Sequence, residues 1–134
     1  MKEKLVDINL SIDIMGNEIV ASLGFMNTDS KSVHLDQQTI CYDNIVCGDY
    51  FKIKDERGRK VEYNGMMVSR EIDPEYFITL SPKEILEIKV KLSDIYQFKK
   101  GKKYNVQYST YHPSYLEEQD LTKLESNVVE VVYK

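Results

Sequence analysis

From residue 6 onward the apolar positions fall on every second place: Val6, Ile8, Leu10, Ile12 and Ile14, with Asp7, Asn9, Ser11 and Asp13 between them. A two-residue period puts the aliphatic side chains on one face of a strand. Gly16-Asn17 is a tight-turn pair, and Ile19, Ala21, Leu23 and Phe25 resume the alternation, which predicts an antiparallel hairpin. The pattern returns at Leu86, Ile88, Val90 and Leu92 behind the turn Ser81-Pro82-Lys83-Glu84, and at Tyr104, Val106 and Tyr108 behind Gly101. Leu10, Ile12, Leu23, Phe25, Ile88, Val90 and Val106 are therefore the expected core.

Shorter strands are expected at Val33 and Leu35, at Phe51 and Ile53, at Val61 and Tyr63, over Met66, Met67 and Val68, at Tyr76, Ile78 and Leu80, and at Val129, Val131 and Tyr133. Turn residues stand between them, among them Asp55-Glu56-Arg57-Gly58, Asn64-Gly65 and Asp73-Pro74. Residues 39–48 show no single period. Residues 109–125 are the longest stretch without periodicity and are expected to form a loop. No segment keeps the helical period for more than about three turns. Many short strands joined by turns predict an all-β fold, an antiparallel immunoglobulin-like β-sandwich of about eight strands.

The chain has 134 residues, the size of a single domain spanning 1–134 with a two-layer core. Ten Tyr and four Phe with no Trp suit a pleated surface. The net charge of −4 argues against a nucleic-acid partner, which needs a basic surface. Lys99, Lys100, Lys102 and Lys103 around Gly101 are the nearest approach to one, and read either as a solvated turn or as an anion site. No apolar run is long enough for a signal-peptide core or a membrane span. The expectation is a soluble cytoplasmic protein without a membrane partner, unless a leader has been removed.

Candidate chemistry is sparse. His34 and His112 are far apart, and Cys41 and Cys47 have no neighbouring histidine, so no metal, no cofactor and no catalytic residue is expected. The two cysteines read as free thiols in a reducing compartment, with a small disulfide loop as the alternative for an exported protein. Paired acids such as Glu117-Glu118 lie in polar sequence.

The order Phe51-x-Ile53, Gly58, Val61-x-Tyr63-x-Gly65, Leu80-Ser81-Pro82, Val90-x-Leu92-Ser93, Tyr96-x-Phe98, Gly101 and Tyr104-x-Val106 resembles the non-catalytic β-sandwich module of deuterolysin-type zinc endopeptidases. The resemblance covers roughly residues 5–108. That family's zinc-binding His-Glu-x-x-His motif does not occur here, and its usual Pro-Gly turn appears as Pro82-Lys83, so no catalytic residue carries over. Gly101 to Tyr108 is also similar to the immunoglobulin-type corner, in which a Tyr at the start of a strand turns its hydroxyl onto an adjacent loop. Tyr104 is that residue or a plain core aromatic.

One segment concentrates contact-forming side chains: Tyr108, Tyr111, His112, Pro113 and Tyr115. Tyrosine supplies large contact area at low entropic cost, and proline limits what remains to be ordered on binding. These five are the candidate binding loop, and the alternative is that they pack over the end of the sandwich. The function expected is a non-catalytic protein-binding module, not an enzyme; immunoglobulin-like sandwiches often serve as protease inhibitors, so a non-covalent protease inhibitor or a protease-associated domain is the form considered. The alternative is a structural, self-assembling sandwich protein.

Overall fold

The computed structural model describes residues 6–69, 73–113 and 121–134. The described chain is all-β, with nine strands and three single 3₁₀ turns. The strands are β1 (Asp7–Met15), β2 (Glu18–Met26), β3 (Val33–Asp36), β4 (Phe51–Asp55), β5 (Phe77–Leu80), β6 (Ile85–Lys91), β7 (Lys102–Pro113), β8 (Leu121–Glu125) and β9 (Val129–Tyr133). All pair antiparallel. One sheet has the order β1-β2-β6, and in another β7 stands between β4 and the pair β8 and β9; β3 and β5 form a separate two-stranded ribbon.

The opening hairpin forms as its alternation predicts. Gly16 takes the left-handed conformation at φ 62°, where a side chain would be strained, and Leu10 pairs with Leu23. Inward residues of both main sheets join in one core, where Phe25 of β2 meets Tyr108 of β7 edge to face at 5.6 Å. That contact spans the two layers of a sandwich-like arrangement. Leu10, Leu23, Phe25, Ile88, Val90 and Val106 are buried as expected, and Ile12 is half-buried against them. Ile14 lies beyond the core and is 39% exposed, so the alternation outlasts the layer that covers it.

Three expectations are corrected. Val61 and Tyr63 do not form a strand; Tyr63 makes an isolated bridge to Tyr96. Met66, Met67 and Val68 lie outside any strand and are exposed. Residues 109–113, expected as loop, complete the twelve-residue strand β7, and residues 121–125 pair with them as β8. Polar residues take buried positions there, Ser109 and His112, so apolar periodicity vanishes although the strand continues.

Register explains the rest. Val106 faces Val129 and Ser109 faces Glu125, so residues 126–128 stand opposite only 107 and 108. The extra residue is a β-bulge, and bulges re-aim side chains. Here the bulge directs Asn127 across to the other sheet. Its Oδ1 accepts the Leu10 amide at 2.8 Å and its Nδ2 donates to the Leu10 carbonyl at 3.0 Å. A side-chain amide thus occupies backbone groups on the outer edge of β1, where another strand could otherwise pair.

Candidate functional site

The tyrosine-rich segment does not act as one surface. Tyr108 is fully buried, its ring packed on Phe25 and Phe51, each at 5.6 Å. Its hydroxyl donates to the Thr39 carbonyl, and burial pushes its pKa well above the usual phenol value. His112 is buried and Pro113 with it. Tyr111 alone among the described members faces solvent, 60% exposed, with the Lys123 ammonium 5.7 Å from its ring centre. Tyr115 lies outside the described residues. The structure therefore sends Tyr108 and Tyr111 to opposite sides of one strand, as residues three apart on an extended chain must go.

His112 anchors a buried polar cluster instead. Its Nε2 accepts the Asp36 amide at 2.7 Å, and the ring meets Phe77 edge to face at 5.8 Å. Burial lowers its pKa to about 4, against the pull of Asp36 and a hydrogen bond with the Pro113 backbone, so the ring is neutral at pH 7. The Asp36 carboxylate accepts from the Thr39 hydroxyl at 2.5 Å. These groups are mutually satisfied, the usual condition for polar atoms in a core.

Above this cluster the chain crosses from β3 to β4 through residues 37–50. Cys41, Asp43 and Asn44 all have positive φ, 57°, 58° and 64°, an uncommon conformation for residues with side chains. Asn44 repeats what Asn127 does elsewhere: its Oδ1 accepts the Lys89 amide at 2.8 Å on the outer edge of β6. Both outer strands of the β1-β2-β6 sheet are thus hydrogen-bonded by asparagine side chains. The Tyr50 ring lies close over Gly48, where a Cβ would come within 2.9 Å of it and displace the ring. Tyr96 fixes the far end of the crossover, donating to Asp49 at 2.5 Å and accepting the Phe51 amide at 3.3 Å.

The crossover and its neighbours form a shallow hollow of about 260 Å³ lined by Gln37, Gln38, Tyr42, Asp43, Ile45, Cys47 and Tyr76. Val68 is tied beside it, its amide donating to the Cys47 carbonyl at 2.9 Å and its carbonyl accepting from Gln38 at 2.9 Å. Ile45, Met66, Met67, Val68 and Tyr76 are between 40% and 74% exposed around this feature. Sequence reasoning placed Met66 to Val68 in a strand and missed them. The available signal was an apolar run without alternation directly after Asn64-Gly65, which is unusual unless the run is buried or meets a partner.

The same surface offers little for covalent chemistry. Both cysteines are free thiols, and burial, with the nearby Cys47 adding to it, pushes the Cys41 pKa up to about 12. A thiol held protonated is a poor nucleophile. Among the described residues no three His, Cys, Asp or Glu side chains group as metal ligands, and no helix is long and apolar enough to cross a membrane. Tyr104 is buried, and its hydroxyl accepts the Lys99 amide, five residues upstream, at 2.7 Å. No family model matches the chain, and none of the curated proteins is similar to it.

Proposed function

We propose that this protein is a non-catalytic, immunoglobulin-like β-sandwich that binds another protein through the apolar surface around residues 37–50. The observation that carries the reading is that exposed Ile45 and Tyr76 line the hollow, while exposed Val68, with Met66 and Met67 just before it in the chain, is hydrogen-bonded to Gln38 and Cys47 of that lining. Contiguous exposed apolar patches mark interaction sites, and Met and Tyr are enriched at interface cores. The flexible thioether lets such a surface adapt to its partner. The asparagine-capped outer edges support a face-directed contact over strand addition to the β1-β2-β6 sheet. The immunoglobulin-like class is supported by the β1-β2-β6 order, by β7 lying between β4 and β9, and by the Tyr104 corner.

The partner class that immunoglobulin-like sandwiches suggest is a protease, bound without covalent chemistry and without a cofactor. Immobilised wild-type protein, Met67→Asp and Ile45→Asp are to be compared against a panel of purified proteases and an extract of the source cells. The reading requires a protein retained by the wild type and lost from both variants, with melting temperatures unchanged. Retention by all three, with equal affinity, refutes this surface. Concentration-dependent growth of the wild type alone in size-exclusion chromatography would favour self-association.

A further inference from the structure

A second surface lies at the other end of β4. The antiparallel register sets Asp55, at the end of β4, beside Tyr104, near the start of β7. This brings the turn after β4 next to the turn that precedes β7. The Gly16-Asn17 turn joins them, because the Lys100 ammonium donates to the Asn17 side chain and the Tyr133 hydroxyl donates to the Asn17 carbonyl at 2.8 Å. Residues 54–60 and 99–103 together hold eight of the 18 cations of the chain and two of its 22 acids. A protein of net charge −4 thus carries a local excess of positive charge at this end, eight cations against two acids.

One of those two acids is consumed by the turn itself. Asp55 Oδ1 accepts the amides of Arg57 and Arg59, each at 2.9 Å, and these bonds, Arg59 first, with the Lys102 and Arg59 charges, hold its carboxyl below the usual range. Among the described residues Lys60 pairs with Asp49 at 3.3 Å, while Lys54, Arg57, Arg59, Lys99 and Lys103 have no carboxylate within salt-bridge distance. Asp55 stays ionised and offsets part of this charge, but cations still outnumber acids eight to two, and an external anion relieves the remaining repulsion.

We propose that this end binds an acidic peptide segment of another protein. Charge complementarity argues for the anion, and the surroundings argue for a peptide. Tyr104 and Tyr133 are buried, and Phe98 is half-buried with its ring packed edge to face on both, so none of these three rings stands free as the stacking platform that single-stranded nucleic acid uses. Met15, 59% exposed, is the residue that would enter a lipid surface, but Asp13 and Glu18 flank it with the wrong sign for an anionic leaflet. Val132, 40% exposed and paired with Lys103 across the ladder, gives an aliphatic contact between the cations, as a mixed acidic and apolar peptide requires.

The test is fluorescence anisotropy with a labelled poly-glutamate peptide against wild type, Arg57→Glu/Lys103→Glu and, as a control remote in sequence, Lys31→Glu/Lys83→Glu. The wild type and the control should bind alike. The Arg57→Glu/Lys103→Glu variant should bind at least about tenfold more weakly, and raising salt from about 0.05 to 0.5 M should weaken the wild type similarly, because exposed charges are screened. Circular dichroism establishes that each variant is folded. Equal weakening in both double variants, or no wild-type binding at low salt, overturns the assignment. Tighter binding to a DNA duplex or to phosphatidylserine-containing vesicles than to the peptide overturns it in favour of those partners. The outcome is independent of the apolar surface, which neither double variant touches.

Discussion

The two ends of β4 carry surfaces of opposite character, and they differ in how far they depend on distant contacts. Ahead of Phe51, the apolar crossover is fixed by bonds between residues far apart in sequence: Asp36 to His112, Thr39 to Tyr108, Asn44 to Lys89 and Gln38 to Val68. Beyond Asp55, each basic turn is closed by local bonds, Asp55 to Arg57 and Arg59 and Tyr104 to Lys99, and distant bonds from Lys100 and Tyr133 to Asn17 then hold the neighbouring turns together. Local bonds cost little chain entropy to close, whereas distant ones form only when the whole sandwich assembles. The crossover surface should therefore rise and fall with global stability. The basic end should keep its shape under perturbations that leave β4 and β7 paired.

The largest effect expected is from Tyr108→Ala, which removes a fully buried ring that touches Phe25 and Phe51. A loss of about 3–5 kcal/mol is expected from urea denaturation, enough to unfold a marginal domain. Tyr104→Phe removes only the hydrogen bond from Lys99 and should cost about 1 kcal/mol. Similar losses for the two would erase the distinction between the ends.

Acid should act through the crossover end. The unfolded chain takes up a proton on His112 near its ordinary value of 6.5, whereas the folded protein does so only near 4. The stabilisation is complete above pH 6.5, declines as pH falls through this window and levels off below it, by about 3 kcal/mol in all. On the alkaline side the raised Cys41 pKa works in reverse, with stability falling as pH rises from 9 towards 12. Denaturant midpoints measured across pH should show both arms. In His112→Gln the acid arm should flatten while the alkaline arm persists, and an unchanged acid arm would show that another group is responsible.

An intermediate effect is expected at the inter-sheet clamp. Asn127→Ala frees two backbone groups of Leu10 and should lower stability by about 1–2 kcal/mol. Faster hydrogen exchange confined to β1 would locate the loss at that edge. The smallest stability effects should come from the surfaces themselves. Met67→Asp, Tyr111→Ala and Lys103→Glu replace exposed side chains and should each stay within about 0.5 kcal/mol of wild type in thermal melts. A large drop for Tyr111→Ala would mean that its ring packs on Lys123 and supports β8.

What could be read without coordinates was whatever depends on neighbouring residues. Alternation at 6–14, 19–25 and 86–92 placed three strands and their inward faces, since a strand's pleat alone decides which side chains share a face. The Gly16-Asn17 and Asp55 turns were legible for the same reason, and so was the cluster of lysines around Gly101. Tertiary structure decided what lies between distant residues. The strand over 109–113 is invisible to hydrophobic periodicity because His112 and Ser109 take buried positions, which a polar residue can hold only where a remote partner satisfies it. That burial withdrew Tyr108 and His112 from the proposed contact loop. Long-range bonds from Val68 to Cys47 and Gln38 set Met66 to Val68, read as a strand, exposed beside residues 37–50. Pairing Asp55 with Tyr104 joined two basic turns separated by some forty residues of chain, because register, not sequence distance, determines which ends of strands meet.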